Sequence, residues 1–176
     1  LSAGDSIQDP LGRLRAMLQA YVDFGFHETN VYNLMFTWSV PKYEHYVGTE
    51  LERTANQELL TALKVSTLFM QAVANVVNAQ EAEPDAGETP TVPLEALRTY
   101  MISLWCTLHG YISGCNNTLL NYIHQAPRTL EQPMINLLIH NIQQMKNEVQ
   151  TSGASALYYL TPDLPLPGNH FDEERL

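Results

Sequence analysis

Trp105 and His109 stand four residues apart, so on a helix an indole and an imidazole share one side. An imidazole so placed can anchor a bound molecule through a hydrogen bond, or it can be a core histidine satisfied by one backbone or hydroxyl partner. The remaining histidines, at 27, 45, 124, 140 and 170, show no His-x-x-x-His or Glu-x-x-His spacing that would set two ligands on one helix face, so no metal is implied. There is no Gly-rich phosphate loop, no Gly-x-Ser-x-Gly elbow and no carboxylate pair in a recognisable catalytic setting, and the expectation is a protein that is not an enzyme and holds no cofactor. Cys106 and Cys115, the only cysteines, would lie about 13 Å apart along one helix axis. That exceeds the ~7 Å a disulfide spans between Cα atoms, so both read as structural.

What remains is binding chemistry. Phe24, Tyr32, Met35, Phe36, Trp38, Phe69, Met70, Trp105 and His109 could converge on a ligand cavity with an apolar wall and few polar anchors, although ordinary core packing accounts for many of them equally well.

Helices must position these residues. Asp9-Pro10 starts one, with Asp as cap and Pro at the first position, and Leu11, Leu14, Leu18, Tyr21 and Val22 continue it to about His27. A short helix from Thr29 or Asn30 runs until Pro41 stops it. Thr49-Glu50-Leu51-Glu52 fits a capping box, and no Pro or Gly follows until Pro84, so a helix of about 30 residues is expected. Residues 81–93 combine Pro, Gly and acidic side chains without an apolar period and read as an exposed, mobile loop.

The next helix carries Trp105 and His109 and has two unlike faces. Met101, Leu104, Trp105, Leu108, Tyr111 and Ile112 gather on one, with His109 at its margin. Ser103, Thr107, Gly110 and Gly114 lie opposite, where a second backbone could come close. A helix this poor in charge is expected to be covered on both sides. From Pro133, the positions Ile135, Leu138, Ile142, Met145 and Val149 alternate spacings of three and four, a two-heptad seam seeking a helical neighbour. The seam and the small-residue face together predict a homodimer joined by two helices from each subunit, a four-helix interface.

Trp105-x-x-x-His109-Gly110 resembles the signature of the WHG-type C-terminal domain of TetR/AcrR transcriptional regulators. The block from Tyr21 to Phe36, ending Tyr32-x-x-Met35-Phe36, is similar to a second pattern of that family, with Thr29 where many members carry Pro. The likeness extends from about Asp9 to Val149 in helix order and motif spacing. It implies an all-α bundle of about six helices. It also implies effector sensing and dimerisation for a regulator, usually a repressor, whose DNA-binding helix-turn-helix lies in an N-terminal domain outside this chain. The effector implied is small and largely apolar.

Composition agrees with a protein that does not itself grip nucleic acid. The chain has 176 residues, of which 45% are hydrophobic, enough for one domain over 1–150 followed by a tail at 151–176. A formal charge of −10 and nine scattered basic residues argue against a phosphate-binding surface. No unbroken run of 18 apolar residues occurs and no signal-peptide pattern opens the chain, so no membrane partner and a cytoplasmic location are expected. The reading from a different class is a free-standing dimeric helical interaction module without DNA binding.

Overall fold

The structure, a computed structural model, describes residues 9–38, 41, 43–78, 92–153 and 157. Among these residues there is no strand. Five α-helices, one fewer than the expected six or so, are joined by 3₁₀ turns at Tyr43–His45, Leu119–Tyr122 and Pro127–Leu130.

Helix α1 spans Pro10–His27 and starts as its sequence dictates: the Asp9 carboxylate accepts from the amides of Leu11, at 3.2 Å, and Gly12, at 2.9 Å. A single residue, Glu28, separates it from α2, Thr29–Phe36. Helix α3, Glu52–Val77, is shorter than the long helix expected. Its capping box closes off register, since Glu52 Oε2 accepts from the Gly48 amide at 2.7 Å and Thr49 Oγ1 from the Leu51 amide at 3.2 Å. Helix α4 covers Leu94–Asn116 and α5 covers Glu131–Ser152.

The core lies where α1, α3, α4 and α5 meet. Leu14, Leu18 and Val22 of α1, Val73 and Val76 of α3, Leu108 and Ile112 of α4, and Ile135 and Ile142 of α5 are sealed from solvent in one cluster. Leu157, beyond the end of α5, joins the same core, so the packed unit reaches past the expected boundary at 150; residues 158–176 lie outside the described residues. Of the expected loop at 81–93, only Val92 and Pro93 are described, and Val92 is buried.

Packing corrects the assignment of the heptad seam. Ile135, Leu138, Ile142, Met145 and Val149 are at most 4% exposed within a single chain. The neighbours they sought are α1 and α3 of their own subunit, not a second copy. A side chain already surrounded has no surface left to offer a partner. The polar positions beside the seam hold α5 in place: Arg15 Nη1 donates to Asn136 Oδ1 at 2.6 Å, and Gln132 Nε2 to Gln19 Oε1 at 2.5 Å.

Helix α3 is long and apolar enough to cross a membrane by length and composition. Its C-terminal half, with Phe69, Ala72, Val73, Val76 and Val77, is core, although only 28% of the apolar window is buried. Leu60 and Leu63 of its N-terminal half are nearly half exposed.

Candidate functional site

Helix α4 builds two regions of opposite character. After Arg98 it carries no Asp, Glu, Lys or Arg. One side faces rings from α1, α2 and α3; the other is open.

The ring-packed side centres on Tyr32, which is fully buried, while Trp105 at its edge is 41% exposed. Its ring lies 4.9 Å from Phe36, 6.1 Å from Phe24 and 6.0 Å from Tyr21, centroid to centroid. Phe69 meets Tyr21 edge-on at 6.2 Å. Trp105 and His109 stack in parallel at 4.8 Å with 7° between their planes, the geometry their four-residue spacing predicts, and Phe36 meets the indole edge-on at 6.1 Å.

A chain of polar atoms runs through these rings. The Tyr21 and Tyr32 hydroxyls are 3.4 Å apart, and the Tyr32 hydroxyl is 2.8 Å from His109 Nδ1. With Tyr21 donating to Tyr32 and Tyr32 to Nδ1, both phenol protons find acceptors within the chain, and this assignment leaves the imidazole proton on Nε2. Burial lowers the His109 pKa and favours the neutral ring that this arrangement requires. Burial likewise raises both tyrosines above the ordinary phenol value, keeping each a donor.

Six of the nine expected ligand-facing residues therefore come together: Phe24, Tyr32, Phe36, Phe69, Trp105 and His109. Met35 and Trp38 stand on the outer side of α2 and just beyond its end, 49% and 60% exposed, so their helical spacing carries them away from the cluster. Met70 is half-buried and sits beside Phe69 in sequence. Tyr21, which touches three rings and lies within hydrogen-bond distance of the Tyr32 hydroxyl, was read only as a core position; its spacing of three from Phe24 on α1 was the available signal.

On the opposite side, Ser103 and Gly110 are exposed and Thr107 is half-buried. Gly110 has open space where a Cβ would stand, whereas Gly114 does not: a Cβ there would lie 2.8 Å from Leu120 Cγ. Gly114 thus serves a close approach within the chain, by the turn that follows α4. Between α4 and that turn runs an apolar groove of about 290 Å³, lined by Thr107, Gly110, Tyr111, Leu120, Ile123, His124, Pro127, Leu130 and Met134. Around it Leu119, Tyr122 and Ile123 are 62%, 91% and 82% exposed. A second, polar cleft at the start of α3, between Tyr43 and Asn56, is far from α4 in character and contains the capping residues already described. Neither cleft lies in the aromatic cluster.

Among the described residues no group of three or more His, Cys, Asp or Glu is placed to hold a metal ion. Cys106 is exposed and Cys115 buried, and they are not bonded to one another.

Compared with known families, residues 14–114, more than half of the chain, match one described as the tetracyclin repressor-like, C-terminal domain. No curated protein and no solved structure matches the chain.

Proposed function

The chain belongs to the tetracyclin repressor-like C-terminal domain family, and from that premise we propose that it senses a small effector and dimerises to control DNA binding by an attached N-terminal helix-turn-helix. The observation that carries this reading is the division of α4, with an uncharged aromatic cluster on one side and an uncovered apolar groove on the other.

The effector is small, largely apolar and uncharged. The rings of the cluster carry no formal charge, and an ion transferred among them would lose its hydration without a counter-charge. His109, with its proton on Nε2, is the polar anchor, and Phe24, Tyr32, Phe36, Phe69 and Trp105 are the walls. Room for the effector comes from parting these rings, so binding selects an arrangement in which α2 has shifted against α4. The homodimer forms through the outer face of α4, with Ser103, Thr107 and Gly110, and through the first turns of α5, where Leu137 is half exposed. This keeps two helices from each subunit and replaces the buried seam as the contact surface. Shifting α2 against α4 alters how the two copies sit, and so the separation of two DNA-binding heads on half-sites of fixed spacing. The usual outcome in such a cytoplasmic regulator is release of a repressor.

Sedimentation equilibrium tests the contact surface: a dimer is expected at micromolar concentration, and Gly110→Glu should yield a monomer of unchanged helicity. A wild-type chain that remains monomeric overturns dimerisation through this face. For sensing, a neutral aromatic probe such as 1-naphthol is titrated against tryptophan emission. A ligand that binds yet leaves the operator affinity of the intact protein unchanged overturns the mechanism.

The open groove, beside a cluster closed ring against ring, also favours a second reading, a dimeric interaction module that takes a protein segment and does not bind DNA. The intact mass of the native gene product separates the two. An extension of about fifty residues with a helix-turn-helix supports the regulator, and a product without one supports the module.

A further inference from the structure

Where α1 turns into α2, a set of contacts reaches across to the segment between α4 and α5. Asn116, the last residue of α4, donates from Nδ2 to the Gly25 carbonyl at 2.9 Å. Its Oδ1 accepts from Arg128 Nη2 at 2.9 Å and lies 3.5 Å from the Thr29 hydroxyl at the start of α2. The same guanidinium sits 4.7 Å above the centre of the Phe26 ring. Phe26 packs edge-on against Tyr111 at 5.7 Å, and the Tyr111 hydroxyl donates to the Pro127 carbonyl at 3.0 Å. Arg128 thus grips α1 through a ring and α4 through an amide, and that amide in turn holds the corner that launches α2.

Its chain neighbour Pro127 and, two residues on, Leu130 belong to the wall of the groove. Leu120 and Ile123 of the preceding turn form the rest of that side. The cluster and the groove are therefore joined by this node as well as through α4.

We propose that Arg128 is a positioning residue that makes α2 and the groove wall at residues 119–130 shift together, so that parting the aromatic cluster reshapes the groove. The physical basis is that a guanidinium held by a planar ring and an amide oxygen has two fixed directions. Moving the α1–α2 corner without moving Arg128 breaks the cation–π contact, the Asn116 hydrogen bonds or both. A linkage of this kind is reciprocal: occupation of the groove changes the parting of the cluster by the same factor by which parting changes occupation. The inference rests on the reading above in what it takes the two regions to bind, but its test needs neither ligand nor dimer.

Amide hydrogen exchange is measured on the wild-type chain, Arg128→Gln and Asn116→Ala, with Arg98→Gln, which removes only the surface pair with Glu95, as control. Two sets of amides report: Tyr32, bonded to the Glu28 carbonyl at 2.8 Å, for α2, and Ile123 and His124, both bonded to the Leu120 carbonyl, for the wall. Both sets should exchange about threefold faster or more in Arg128→Gln and in Asn116→Ala, with α3 and α5 unchanged. Acceleration of the wall alone, of neither set, or of the whole chain uniformly overturns the linkage. Sedimentation of the same samples reports the dimer separately, so a monomeric wild type would refute the contact surface and leave this result standing.

Discussion

The cluster around Tyr32 and the groove beside Gly110 share one helix, and both are made without formal charge, yet one is filled and the other left uncovered. On the Tyr32 side, bulky residues at positions 105, 108, 109 and 112 belong to a ring-packed cluster with α1, α2 and α3, and the Tyr21 and Tyr32 hydroxyls and His109 Nδ1 are linked to one another. On the Gly110 side, the small residues of α4 supply no reach, and the apolar residues of the 119–130 segment remain in water. Apolar surface is costly to expose, at roughly 25 cal/mol per Å², so an uncovered groove of this kind is a place for something to bind. The difference teaches that a charge-free helix need not have both faces buried in its own subunit.

Substitutions on the two sides should therefore differ in sign as well as size. The largest loss is expected for Tyr32→Ala, which empties a fully buried ring position and should lower unfolding stability by ~3–5 kcal/mol in urea titrations. Gly25→Ala follows: a Cβ there would stand 2.5 Å from Ile112 Cγ2 and 3.3 Å from the Tyr32 ring, an overpacking that should cost ~1–3 kcal/mol. A neutral result would mean that α1 and α4 adjust freely at the crossing.

Tyr32→Phe keeps the ring and removes one hydroxyl, leaving His109 Nδ1 and the Tyr21 proton without partners. The loss should be ~1–3 kcal/mol. In a ¹⁵N spectrum of the imidazole, the change should register at Nδ1; an unaltered Nδ1 resonance would refute the assigned proton direction. On the other side of the helix, Gly110→Ala should stabilise the chain by roughly 0.8–1 kcal/mol, since Ala favours helix over Gly and nothing lies within 4 Å of the new methyl group. Destabilisation that grows with protein concentration would instead mark Gly110 as a close approach between subunits.

The smallest effect is the response to pH. The pKa of His109 is lowered in the fold by burial, so below the ordinary histidine value of about 6.5 the unfolded chain takes up a proton that the folded chain refuses. The His109 contribution is full above that value, declines as pH falls towards the lowered pKa, and levels off below it. Urea midpoints compared between about pH 7 and about pH 5.5 should show a shallower dependence in His109→Gln. An unchanged dependence would place the imidazole proton equilibrium in solvent.

Much of the fold was legible because its cues are local. Asp9-Pro10 located the start of α1, and the two-sided character of α4 was readable from residue size and the absence of charge. The cluster was legible in part. The Trp105–His109 stack follows from a four-residue spacing on one helix, but Met35 and Trp38 point away because α2 is short and shows only one side to the bundle. The role of Arg128 had no signal in the sequence. Its partners Phe26 and Asn116 are 102 and 12 residues away, and nothing in either spacing marks them as neighbours.

By itself the sequence determined where helices form and which stripe of each is apolar. These are properties of neighbours along the chain, where the 3.6-residue period converts order directly into direction. Only the tertiary structure decided which partner covers which stripe. A heptad seam states that it must be buried, and the energy of burial is indifferent to whether the neighbouring helix belongs to the same chain or to another. Here α1 and α3 of the same subunit reach it first, and that choice leaves the groove beside α4 among the apolar surfaces still without cover.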